Sequence, residues 1–82
     1  MLIIYDEPKR LANIEKHGFD FADLDVAFFE AARVLPAKGG RFMAIGDFEG
    51  EIITVVFRPL GTEALSVVSM RPASRKERRT LA

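Results

Sequence analysis

Ile52-Ile53-Thr54-Val55-Val56-Phe57-Arg58 is the stretch on which the architecture turns. It is rich in β-branched and aromatic residues, too short for a buried helix and bounded by turn residues, so it reads as a strand. Because it is apolar at nearly every position, it is expected at the centre of a sheet with both faces covered. On its N-terminal side, Asp47 to Glu51, centred on Glu49-Gly50, turn the chain tightly back to another strand, Arg41-Phe42-Met43-Ala44-Ile45-Gly46. Phe48 lies beyond the Gly-Asp break of that strand. Earlier still, Val34-Leu35-Pro36 is a short strand ended by proline, and Ala37-Lys38-Gly39-Gly40 is a turn. On the C-terminal side, Pro59-Leu60-Gly61-Thr62 turns into a last strand, Ala64-Leu65-Ser66-Val67-Val68-Ser69-Met70. Three short turns between four strands predict an antiparallel meander.

The N-terminal part changes period. Leu2-Ile3-Ile4-Tyr5 reads as a first strand. Asp6 can cap the helix that follows, and Pro8 is tolerated in its first turn, whose amides lack intrahelical partners. This helix runs to about His17 and stops at Gly18, a residue suited to a left-handed cap. Leu11 and Ile14 give it an apolar edge, while Lys9, Asn13 and Lys16 share another face, where Asn13 is expected to bond across to the next helix. Asp20, with Asp23 three residues on, predicts a second helix whose apolar stripe is Phe21, Leu24 and Phe28. Ser74 and Glu77 have the spacing of a capping box and open a last helix. The predicted order is β-α-α-β-β-β-β-α, an α+β fold with the two N-terminal helices on one face of a mostly antiparallel sheet. No repeat or linker interrupts it, so residues 1–82 are expected to form one domain.

Composition narrows the function. The chain has no Cys and one His, which excludes a disulfide framework, a thiol nucleophile and a His-rich metal site. No spacing of acidic residues suggests a metal, and no nucleotide-binding loop is present, so no cofactor is expected. Without a membrane-length apolar run or a signal peptide, the expected location is the cytoplasm. Lys and Arg balance Asp and Glu at 12 each, but unevenly. Residues 71–82 hold five basic side chains and one acid, against seven bases and eleven acids before them. A basic tail behind an acidic body raises a polyanion as partner, although a basic last helix also suits the helix dipole as a solvated end.

The basic residues form a set with a chemistry. Lys9, Lys16 and His17 lie along or at the end of the first helix, Arg71 ends the last strand, and Arg75 and Arg78 follow at helical spacings. Metal-free cleavage of RNA must deprotonate a 2′-hydroxyl, neutralise a pentacoordinate phosphate and protonate the departing 5′-oxygen. Arg supplies a permanently charged planar fork for phosphate oxygens. Lys or His can move a proton, and Glu77 could act as base or orient an arginine. Each residue also has a plainer reading: His17 as a cap for helix carbonyls, Lys9 and Lys16 as solvated charges, Arg71 as a partner for a carboxylate.

Three segments together resemble a known family. Tyr5-Asp6-Glu7-Pro8-Lys9, Asn13 and Lys16-His17-Gly18 resemble the opening signature of the BrnT toxins of type II toxin–antitoxin systems. Arg41-Phe42-Met43-Ala44-Ile45-Gly46 is similar to the family's Arg-aromatic-x-x-Ile-Gly strand, and Ser69-Met70-Arg71-Pro72-Ala73 with Glu77-Arg78 to its closing signature. The resemblance implies a RelE-like fold and an endoribonuclease that inhibits translation. It also implies a protein antitoxin, BrnA, whose ribbon-helix-helix part binds operator DNA, so that the toxin reaches DNA only indirectly. Carried onto this chain, the catalytic candidates are Lys9, His17, Arg71 and Glu77, and the RNA-binding candidates are Lys16, Arg58, Arg75 and Arg78. Arg71→Ala is then expected to abolish activity with little loss of stability. The chain departs from the family pattern at Tyr5, where Trp is usual, and at Leu60 and Ser66, where many relatives carry Arg; Arg58 is a nearby substitute. These departures keep a second reading open, a catalytically inactive relative that only binds an antitoxin as co-repressor.

Overall fold

The computed structural model describes residues 1–82. Its elements run β1 (Leu2–Ile4), α1 (Glu7–His17), a 3₁₀ turn (Phe21–Asp23), α2 (Val26–Ala31), β2 (Arg33–Pro36), a second 3₁₀ turn (Lys38–Gly40), β3 (Phe42–Phe48), β4 (Glu51–Leu60), β5 (Ala64–Pro72) and α3 (Arg75–Arg79). One five-stranded sheet has the order β1-β5-β4-β3-β2. β2 to β5 form the antiparallel meander, and β1 joins its edge parallel to β5, Leu2 to Ile4 facing Ala64 to Ser66.

β4 is central, and Ile53, Thr54 and Val55 are all wholly buried, so both faces of the strand are covered there. Strand alternation sorts the side chains. Ala44, Val55 and Met70 are cross-strand neighbours on one face and join the aromatic core of Phe21, Leu24, Phe28 and Phe29. Ile45, Thr54 and Arg71 are neighbours on the opposite face, where Glu77 of α3 meets Thr54 and Arg71. α1 packs against β5 and α2 against β3. The β3–β4 hairpin closes on Glu49 and Gly50, both at positive φ (52° and 85°), a conformation that matches the twist of the paired strands. Asp47 accepts a hydrogen bond from Gly50 N at 2.8 Å and steadies this turn.

The second helix differs from its expectation. Asp20 caps only the 3₁₀ turn, Leu24 is extended (φ −75°, ψ 143°), and α2 begins after Asp25, whose carboxylate accepts from Phe28 N at 2.9 Å. Two capping aspartates five residues apart split one apparent helix into a turn and a short helix. The aromatic stripe still reaches the core because Phe21 and Phe28 are buried from separate elements. Asn13 also behaves differently: it bonds the Phe19 carbonyl and the backbone of Met70, tying α1 to the sheet and not to α2.

Candidate functional site

α1 is built to present its charges. Asp6 accepts from Lys9 N at 3.3 Å, Pro8 occupies the first turn, and Gly18 closes the helix at φ 76° with its N–H on the Ile14 carbonyl. Arg10 forks onto Asp20 at 2.8 and 3.1 Å and also reaches Glu7 at 2.8 Å, binding the helix to the segment after it. The pairing lowers the titration of the Asp20 carboxyl and raises that of Arg10, each chiefly through their mutual hydrogen bonds.

Between α1 and β5 runs a groove of about 250 Å³. Lys9, Asn13, Lys16 and His17 form one wall, Val68 and Ser69 the other, and no carboxylate lines it. Lys9 and Lys16 are exposed and His17 is half-buried, and none of the three makes an ion pair. Three cationic or protonable side chains therefore face one cleft with no opposite charge within it, which makes the groove attractive to an anion. The register of β4 and β5 shifts between Val56 and Phe57, leaving Val68 as the extra residue of a bulge on the groove's strand wall.

Arg71 does not line this groove. It stands two residues beyond Ser69 on the same strand, so the two side chains share a face. Arg71 Nη1 and Nη2 donate to Glu77 Oε1 and Oε2 at 2.8 and 2.9 Å, a two-pronged charge-assisted pair. The same carboxylate accepts from Thr54 Oγ1 at 2.9 Å and Ser74 N at 2.8 Å, while Ser74 Oγ accepts from Glu77 N to complete the capping box. Hydrogen bonding from Arg71, aided by Ser74 and Thr54 and opposed by burial, lowers the Glu77 carboxyl to about 2. The Glu77 hydrogen bonds raise the Arg71 titration correspondingly. The Glu77 side chain is 14% exposed and that of Arg71 31%, so each leans on the other for charge compensation. Removing Arg71 is therefore expected to cost stability as well as charge, where the sequence alone points to little loss, because it would strand a largely buried carboxylate.

The remaining sequence candidates separate. Arg75 and Arg78 are exposed on α3. Arg58, also exposed, donates to the Gly39 carbonyl at 3.1 Å and lies four residues along β4 from Thr54, away from α3. The sites thus fall into a groove set on α1 and an arginine–carboxylate set where β5 meets α3, with Arg58 in neither. Two residues enter that sequence reasoning did not select. Thr54 is a wholly buried hydroxyl inside an apolar run, and that misfit is a signal that it has a polar partner. Ser69 heads the closing signature segment but takes no role from it, and strand geometry brings it to the groove. No group of three or more His, Asp or Glu side chains is gathered as a metal ligand set. No helix is long and apolar enough to cross a membrane.

Comparison with known proteins gives this geometry a context. Residues 5–77 match the family described as the ribonuclease toxin, BrnT, of type II toxin–antitoxin systems. The crystal structure of the Brucella abortus ribonuclease toxin BrnT superposes with a TM-score of 0.85 at 62% identity, covering 92% of this chain and 99% of that one. No curated protein matches. With nearly the whole chain covered in sequence and in structure, this protein belongs to the BrnT family of ribonuclease toxins of type II toxin–antitoxin systems.

Proposed function

We propose that this chain is a metal-independent endoribonuclease that inhibits translation in the cytoplasm and is silenced by a ribbon-helix-helix antitoxin of the BrnA type. In this reading its fold is RelE-like. The observation that carries the nuclease reading is the groove whose α1 wall offers Lys9, Lys16 and His17 with no carboxylate beside them. A ribose-phosphate strand laid along it meets cations on the helix side and the Ser69 hydroxyl on the strand side. Toward α3 it then meets Arg71, and Arg75 and Arg78 extend the basic track.

The chemistry is an internal transesterification. The 2′-oxygen loses its proton and attacks phosphorus, the bond to the 5′-oxygen breaks, and that oxygen leaves with a proton, giving a 2′,3′-cyclic phosphate and a 5′-hydroxyl. Lys9 and His17 are assigned the proton transfers and Lys16 a phosphate contact. Arg71 is assigned the charge on the pentacoordinate phosphate, where one fixed cation is typically worth about 10²–10³ in rate. Glu77, ionised far below neutral pH and bonded through both oxygens to Arg71, suits the orienting role and not that of a base. The same pair favours the second reading, an inactive antitoxin-binding relative, since Arg71 already spends three N–H groups inside the protein, two on Glu77 and one on the Pro72 carbonyl at 3.4 Å.

End-labelled RNA incubated with wild type, Lys9→Ala and Arg71→Ala in excess EDTA separates the two. Cleavage by wild type, lost in folded Arg71→Ala and reduced in Lys9→Ala, supports the nuclease with these roles. Cleavage that needs added Mg²⁺ overturns metal independence. No cleavage by folded wild type under either condition favours the inactive reading.

A further inference from the structure

β1 accompanies β5 only from Ala64 to Ser66. Past that point β5 would present a bare edge, yet Met70 is wholly buried, and its backbone N–H and C=O need partners. Asn13 supplies both. Its Oδ1 accepts from Met70 N at 3.1 Å, and its Nδ2 donates to Met70 O at 2.9 Å and to Phe19 O at 2.9 Å. A single side-chain amide thus takes the place of the missing strand neighbour. Lys9, Lys16 and His17 stand four before, three after and four after Asn13, around the same helix face. On the opposite wall stands Ser69, the residue before Met70, with the Val68 bulge just before it, while Arg71, the residue after Met70, lies outside the groove.

We infer that Asn13 is a positioning residue for RNA cleavage, its carboxamide clamping the middle of α1 to the C-terminal part of β5 and so setting the breadth of the groove. The inference rests on the ribonuclease reading above. The role demands one donor and one acceptor in a plane, which Asn supplies and which neither Leu nor an ionised Asp can. A protonated Asp restores the Met70 pair, its O–H taking the place of the amide N–H toward Met70 O and its C=O still accepting from Met70 N, while the second donor bond, to Phe19 O, is lost.

The test compares wild type, Asn13→Asp and Asn13→Leu on one end-labelled RNA oligonucleotide between pH 4 and pH 8, with circular dichroism confirming that each protein is folded at every pH and at the assay temperature. Activity is expressed relative to wild type at the same pH. Misplacing the two walls is expected to cost on the order of 10²-fold in kcat for Asn13→Leu at every pH, with KM changed far less. Asn13→Asp should match that deficit at pH 8 and recover by about tenfold toward pH 4, where even with Lys9, Lys16 and His17 beside it the carboxyl regains its proton in a substantial fraction of molecules. A filler of space would show no such recovery. Folded variants as active as wild type, or an Asn13→Asp deficit that is the same at both ends of the range, overturn the inference while leaving the ribonuclease reading intact. Wild type that cleaves nothing overturns that reading, and this inference with it.

Discussion

Replacing Glu77 by Gln keeps the shape of the side chain and removes its charge. The wild-type carboxylate accepts four hydrogen bonds, two from Arg71, one from Thr54 and one from Ser74, and titrates at about 2 instead of 4.5. A gap of that size is worth at most about 3–4 kcal/mol between the folded and unfolded states. Part of the Arg71 side chain reaches water, and the carboxamide of the Glu77→Gln variant retains some of the bonds, so a loss of about 1–2 kcal/mol at neutral pH is expected. The folded carboxyl titrates below the unfolded one. Its stabilisation is therefore complete above the ordinary carboxylate range and drains away as the pH falls from 4.5 toward 2. Urea titrations of wild type and Glu77→Gln should differ fully at pH 7, by less than about half as much near pH 3, and hardly at all near pH 2. In thermal melts the neutral-pH difference is about 4–8 °C per kcal/mol for a domain of this size. Equal midpoints at pH 7, or a difference that does not shrink on acidification, would refute the assignment of Glu77 as a structural anion for Arg71.

Three further outcomes are expected from the packing. Phe28→Ala removes a ring that is 7% exposed at the centre of the aromatic core and should cost about 3–5 kcal/mol, read as a lowered urea midpoint. Gly46→Ala places a methyl 3.3 Å from Ala32 Cα and Cβ and 3.4 Å from Phe28 Cε1, so α2 must give way; a loss of about 1 kcal/mol with the hairpin retained is expected by thermal melt. Asp25→Ala deletes the cap on Phe28 N and should cost about 1 kcal/mol, whereas a cost confined to Asp20→Ala would restore the single longer helix.

The strands were legible because each rests on local signals. The apolar run at residues 52–58, the Glu49-Gly50 turn and the proline after Leu35 each act within a few residues. The second helix was not, because Asp20 and Asp25 are both competent caps and only packing chooses how Phe21 and Phe28 reach one core. β1 was legible as a strand but not in its place beside β5, since nothing short-range links Ile3 to Leu65. The same limit applies to the site. The shared helix face of Lys9, Asn13 and Lys16 follows from the period of α1, and the Ser74–Glu77 capping box follows from spacing alone. That Glu77 also holds Arg71 and Thr54, and that Asn13 reaches Met70, depends on strand register, which a residue count along the chain does not contain.

The Asn13–Met70 contact joins positions 57 residues apart. A groove assembled from segments so far apart in sequence carries the entropic burden of closing everything between them, and contacts of such long range tend to form late. During synthesis, α1 emerges complete while β5 is still unmade, and a nascent chain that ends before Ala64 bears one wall of the groove and no Arg71. The groove's two walls can therefore meet only after β5 has been made and has paired with β4.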